Sequence, residues 1–410
     1  MNYRVWYSTE SFADYIIDNT VLSTKSVTKK KMYESDANNA KNFHTMPDHI
    51  KKILYLDAPD IIVELDSEPI FSIEVSTEAG TGHNVFQRFA RLAASVENNV
   101  PAFYIYPEAV IIHRQGNPTR WDAINALVFK ALEDVMNIYS IPALFYYFPS
   151  DFKTYSNPNS SPNIQSKGLK YDRNISYAGS PDSGDSEMRL MFDAINEVIS
   201  VFETAGIVQG RSNLLSRRVV IDRRSFMQQE YFSKNGNLQM SPLTSTIKIP
   251  TIYLLNYLSQ YENSNYKIGE LLRSRDETII YFTDSKFRGD PFPGALAAID
   301  YLCTRQGKTF EERKYNLVMV WGNLVKDETN KTLQLTSARS SINNFTSAVQ
   351  TSEAKNILKK SYNQLAPEQV PRYYMQVRYG STYSKAKHIR VYSYFADAIL
   401  FSDGALWRDA

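Results

Sequence analysis

Two short β-branched runs, Ile61 to Leu65 and Ile70 to Ser76, flank a turn-forming Asp66-Ser67-Glu68-Pro69. No other stretch constrains the fold of this chain as much. Runs of this composition separated by a Pro- and Asp-bearing turn form a β-hairpin. An Ala79-Gly80-Thr81-Gly82 loop follows, and then Val85, Phe89, Leu92 and Val96 recur at helical spacing, which predicts a helix from about Asn84 to Val96. Next come an apolar strand, Pro101 to Tyr106, a helix, Trp121 to Asn137, and a second strand, Ile141 to Phe148. A helical crossover between two strands of one sheet makes them parallel. The expectation is an α/β fold, with a mixed central sheet flanked by helices.

The hairpin carries carboxylates. Asp60 follows Pro59 at the start of the first run, and Glu74 lies near the end of the second. Side chains alternate across a strand, so a one-residue change of register moves the two acids to opposite faces. A four-residue turn at 66–69 separates them. A five-residue loop at 65–69, or a bend at Pro59, puts Asp60 opposite Glu74. Glu64 then shares their face, and Glu78 continues it beyond Ser76. Converging carboxylates repel and are desolvated, a cost offset by a shared divalent cation. Hard oxygen ligands of this kind suit Mg²⁺.

These residues resemble the PD-(D/E)xK nuclease superfamily, the fold of most type II restriction endonucleases. Asp60 matches the family Asp, Glu74 matches the acid of the second half-motif, and Ser76 stands where the family carries lysine. The likeness covers about residues 45–150. It implies a restriction-endonuclease-like core that binds Mg²⁺ through Asp60 and Glu74, with Glu64 and Glu78 as further candidate ligands. It also implies water activation near Ser76 and phosphodiester cleavage in double-stranded DNA. The helix after Glu74 places Asn84, Gln87, Arg88 and Arg91 on a polar stripe. Arg88 is a candidate to neutralise the scissile phosphate, because guanidinium groups match phosphate oxygens bidentately. A symmetric homodimer is expected, since palindromic sites mirror a protein two-fold. His83 has the chemistry of a general base, although a single histidine in a glycine-rich loop is usually structural.

Composition bounds the rest. At 410 residues the chain exceeds one average domain. The reading is a nuclease core at 1–155, a linker or mobile loop at 156–185 containing SNPNSSPN, and a mixed α/β region at 186–410 for DNA recognition and dimer contacts. Within the last, Glu187 to Ala205 reads as an amphipathic helix ending at Gly206, and Thr278–Phe282, Gly294–Arg305, Asn316–Trp321, Tyr373–Tyr379 and Ile389–Phe401 read as further elements. A formal charge of +2 leaves affinity for nucleic acid to local clusters. Candidates are Arg217, Arg218, Arg223 and Arg224 with Arg211 nearby, then Lys385, Lys387 and Arg390 among tyrosines, and Lys29 to Lys31. The loop Lys286 to Pro291 is a weaker one. Cys303 is the only cysteine, which fits a reducing cytoplasm. No secretory signal or membrane segment is expected. The lack of a GxxxxGK[ST] loop argues against a nucleotide cofactor, and the lack of HExxH, paired CxxC and GxSxG against zinc and serine hydrolases.

Overall fold

The computed structural model describes residues 1–32, 46–54, 58–78, 85, 88–113, 115–235, 246–261, 270–283, 312, 315–321, 324–335, 397–401 and 404–407. They fall into two compact units, Met1–Tyr33 with Met46–Gln239, and Glu34–Thr45 with Met240–Ala410. The first runs through Tyr3–Tyr7 (β1), Glu10–Asp18 (α1), Val27–Lys31 (β2), Asp48–Leu54 (α2), Ile61–Leu65 (β3), Glu68–Val75 (β4) and Phe89–Glu97 (α3). It continues through Ala102–Pro107 (β5), Ala109–Ile112 (β6), Arg120–Ala123 (β7), Leu127–Tyr139 (α4), Ala143–Phe148 (β8), Ser186–Ala205 (α5), Ile207–Asn213 (α6) and Arg218–Asn235 (α7).

Six strands form a mixed sheet in the order β2-β1-β3-β4-β5-β8. β1, β3 and β4 are antiparallel in turn, while β4, β5 and β8 run parallel. Helices α3 and α4 lie on one face, where Ser72 of β4 meets Ser95 of α3 at 2.7 Å and Phe145 of β8 packs edge-on against Phe129 of α4. On the other face Phe71, Phe103 and Tyr146 form a ring ladder across three strands. That face is covered by α1 and α5, which meet through Tyr15 and Phe192. The abundant tyrosines serve this core: Tyr3, Tyr15, Tyr104, Tyr106 and Tyr146 are fully buried.

The hairpin forms by a different route from the five-residue loop. Asp66 and Ser67, with φ of 49° and 70°, make a two-residue turn in the left-handed region. Leu65 pairs with Glu68 and Glu64 with Pro69, but Val63 pairs with Phe71, so Ile70 is an extra residue on β4. This bulge shifts the register by one and restores the parity that the tight turn would have lost. Continued past Ile61–Ile73, the register sets Asp60 across from Glu74.

Three elements differ from expectation. Arg120–Ala123 pairs with Ala109–Ile112 as a β-ribbon, so the helix expected from Trp121 starts only at Leu127. The helix after the hairpin has its regular span at Phe89–Glu97. The stretch expected as a linker, 156–185, is built into the first unit instead. Its bridges Ser150–Leu169 and Tyr171–Pro181 fold it back on itself. The buried Asp151 carboxylate accepts from the Ser161 hydroxyl at 2.7 Å and from the Asn163 amide at 3.1 Å. Asp172 likewise accepts from the Asn174 and Ser183 backbone at 2.8 and 3.0 Å. The division of the chain therefore falls near Gln239. The α5 helix matches its sequence: Asp185 caps it through Glu187 N, and Gly206 ends it at φ 74°.

The second unit holds Thr246–Pro250 (β9), Thr251–Leu258 (α8), Glu270–Arg273 (α9), Glu277–Thr283 (β10), Asn316–Trp321 (β11), Leu324–Asp327 (β12), Thr332–Leu335 (β13), Ala398–Phe401 (β14) and Gly404–Trp407 (β15). Its sheet has the order β15-β14-β11-β10-β9, with β10, β11 and β14 parallel. Buried Thr251, Thr278, Arg275, Asn316 and Asp397 form a polar network at the start of those parallel strands. Gly294–Arg305, Tyr373–Tyr379, the 286–291 loop and 389–396 lie outside the described residues. Among the described residues no helix is long and apolar enough to cross a membrane.

Candidate active site

The bulged hairpin delivers Asp60 and Glu74 to the sheet face that α3 covers. Asp60 immediately precedes β3 and is held from two sides. Its Oδ2 accepts from Val75 N at 2.8 Å, and its Oδ1 accepts from the Ser8 hydroxyl at 3.1 Å. Ser8 stands just past β1, and its backbone N–H also donates to Asp60 O at 3.0 Å. The acid is thus fixed by the strands on either side of β3.

Glu74 is fully buried in β4. Its Oε1 accepts from Arg88 Nη1 at 2.8 Å and from Arg91 Nη1 at 2.6 Å. Arg88 is the N-cap of α3, and Arg91 lies in its first turn. Residues three apart on a helix share a face, so both guanidinium groups reach down to one carboxylate. Tyr104, which pairs with Glu74 across the parallel ladder, donates its hydroxyl to Val85 O at 3.0 Å and ties the approach to α3 onto β5. Glu74 Oε2 is buried and has no hydrogen-bond partner among the described residues.

The electrostatics follow from this packing. Burial, then the Glu74 charge, pushes the Asp60 carboxyl up to about 7, with Arg91, the Val75 N–H and Arg88 opposing. Burial works against the charged form of Arg88, and the neighbouring Glu74 outweighs it, so its pKa is raised. Burial holds the Tyr104 hydroxyl far above its ordinary value.

The other expected site residues are distributed as follows. Ser76 is buried at the end of β4, where its hydroxyl accepts from Glu78 N at 3.2 Å, and Glu78 itself is exposed. Glu64 is separated from the pair: four residues along the strand is roughly 13 Å. Buried there, it contacts His49 of α2 and accepts from Arg4 Nη1 at 3.1 Å. Glu64, expected on the face of the pair as a further ligand, takes part in a separate ion cluster with His49 and Arg4. Arg223 is buried, donates to Phe145 O and to both Glu187 oxygens, and stacks between Tyr146 and Phe226. Arg224 pairs with Glu133, Arg217 with Glu197, and Arg218 with Asp222. The first three of these brace the fold across long sequence separations. His83, Gln87, Lys385, Lys387 and Arg390 lie outside the described residues.

Ser8, Arg4 and His49 join these clusters without any signal in the sequence, because their acids are 15 to 60 residues away. Among the described residues no group of three or more His, Cys, Asp or Glu converges. The carboxylates that the hairpin brings to α3 are Asp60 and Glu74. A Mg²⁺ ion is commonly held by one or two carboxylates, with water and phosphate completing the shell, and the unpartnered Glu74 oxygen beside Asp60 fits such a role. Comparison with protein-family models, curated proteins and solved structures returns no match.

Proposed function

We propose that this chain is a Mg²⁺-dependent endonuclease on double-stranded DNA, of the type II restriction kind, with Asp60 and Glu74 as its metal ligands. The observation that carries the reading is Glu74 Oε2, a buried carboxylate oxygen without a partner among the described residues, next to a second acid. A buried acceptor left unsatisfied costs about 1–3 kcal/mol, and two adjacent acids add repulsion. Both costs vanish with a shared cation. When bound, Mg²⁺ neutralises phosphate charge and lowers the pKa of a coordinated water.

The chain's own residues supply the remainder. Ser8 and Val75 N–H hold the Asp60 carboxylate in one orientation. Arg88 and Arg91 hold Glu74 by one oxygen and leave the other available. Ser76 replaces the family's lysine, and the positive charge comes from helix α3 instead of the strand. Arg88, the more open of the two guanidinium groups at 27% against 11% exposure, is the one to meet a phosphate.

The test is incubation of purified protein with duplex DNA and Mg²⁺, followed by sequencing of the fragment ends. Discrete ends that vanish with EDTA and in Glu74→Gln support the reading. Smears, or cleavage confined to RNA or branched DNA, indicate a defence or repair nuclease. Binding without any cleavage indicates a non-catalytic module.

A further inference from the structure

Resting on the nuclease reading, we infer that segment 149–183 is the surface that seats the DNA backbone beside the Asp60–Glu74 pair, through Lys153, Lys167 and Arg173. The segment begins where β8 ends and returns to the end of β4, where the Tyr171 hydroxyl hydrogen-bonds the Thr77 side chain. At its other end Lys153 reaches Glu108, just past β5, at 3.3 Å and lies over the Tyr147 ring. It therefore skirts the carboxyl ends of β4, β5 and β8, the edge of an α/β sheet at which ligands bind. Two strand spacings, ~10 Å, separate β8 from the strand that carries Glu74.

Charge points the same way. Residues 149–183 contain four basic side chains, Lys153, Lys167, Lys170 and Arg173, and three acids, Asp151, Asp172 and Asp182. The three acids accept hydrogen bonds from neighbouring residues, Asp151 from Ser161 and Asn163, Asp172 from Asn174 and Ser183, and Asp182 from Gly184 N. Lys170 lies near Asp151 at 3.7 Å. Lys153, Lys167 and Arg173 are exposed. The scaffold beneath them is fixed before any ligand arrives, which reduces the ordering cost of binding. Arg217, Arg223 and Arg224 are engaged by Glu197, Glu187 and Glu133, and Lys153 also meets Glu108 but stays more open, 66% exposed against 46, 6 and 24%. Exposed cations presented on a folded rim match the phosphate backbone and carry little base information.

The experiment is fluorescence anisotropy of the full chain with a labelled duplex of about two helical turns, in EDTA, across a salt series. The variant Lys153→Gln, Lys167→Asn, Arg173→Gln is compared with wild type, with Arg218→Gln as a control for charge lost elsewhere. Loss of three phosphate contacts weakens binding ~10²-fold near 0.1 M salt and lowers the slope of log affinity against log salt by about 3. Charge-conserving Lys153→Arg, Lys167→Arg, Arg173→Lys restores binding and separates charge from misfolding. Unchanged binding in the neutral variant, an equal loss in Arg218→Gln, no rescue, or a wild-type chain that binds no duplex each overturns the inference. Cleavage is read separately: wild-type cutting with unchanged binding in the neutral variant removes this surface only. Duplex binding that depends on these three residues without any cutting removes the nuclease reading only.

Discussion

Replacing Asp60 by Asn tests the electrostatics of the site without relying on catalysis. The Asn oxygen keeps the Val75 N–H bond and its amide donates to the Ser8 hydroxyl, so both contacts of Asp60 have counterparts. What changes is charge. The folded value lies at about 7 and the unfolded value at ~3.9. Between roughly pH 4 and 7 the folded protein therefore holds a proton that the unfolded chain releases, and stability falls as pH rises through that window. The full difference corresponds to ~4 kcal/mol, at ~1.4 kcal/mol per tenfold change. Asp60 is only half-buried, and solvent screening cuts this to about 1–2 kcal/mol. Urea unfolding of the first unit should give matching stabilities at about pH 4, and an Asp60→Asn protein more stable by about 1–2 kcal/mol at about pH 8. A variant that is no more stable at the higher pH refutes the desolvated-pair argument.

Arg88→Ala should lower the single-turnover cleavage rate by roughly 10²-fold, measured under excess enzyme with stability checked by melting. Removing Arg88 and Arg91 together leaves Glu74 as a buried unpaired charge, which should cost about 3–5 kcal/mol in denaturant unfolding. Gly168→Ala should destabilise by about 2–4 kcal/mol, because Gly168 has φ +78° and a Cβ would meet Trp121 at 2.4 Å. Urea unfolding that leaves this variant at wild-type stability contradicts it. Under limited proteolysis, 156–184 should survive at least as long as the rest of the first unit, since Asp151 and Asp172 tie it down. First cleavage within it would restore the linker reading.

The hairpin was legible because β-branched alternation reports strands directly, and parity reduced the placing of Asp60 against Glu74 to the length of the turn. The means was hidden: a left-handed Asp66-Ser67 turn corrected by a bulge at Ile70 leaves no distinctive composition. Segment 156–185 looked like a linker because Ser, Asn, Pro and Gly are counted as polar. Composition does not show that the Asp151 and Asp172 side chains satisfy its turns. The arginines of 217–224 looked like a phosphate-binding cluster for a related reason. Their acceptors, Glu197, Glu187 and Glu133, lie 20 to 91 residues away, and only the fold brings them together. Trp121 begins a run that scans as helix, yet the ladder to Ala109–Ile112 takes its first residues into a strand. Helical spacing grouped Arg88 and Arg91 on one polar stripe. Their convergence on one oxygen of Glu74 needed the structure.

The most direct test of the central claim is cleavage of duplex DNA by wild-type protein and by Glu74→Gln, each with Mg²⁺ and with EDTA. Fragments with defined ends, produced by the wild type with Mg²⁺ alone and lost in Glu74→Gln, are the predicted result. Equal cleavage by Glu74→Gln, or by wild type in EDTA, contradicts the assignment of Asp60 and Glu74 as the metal-binding pair.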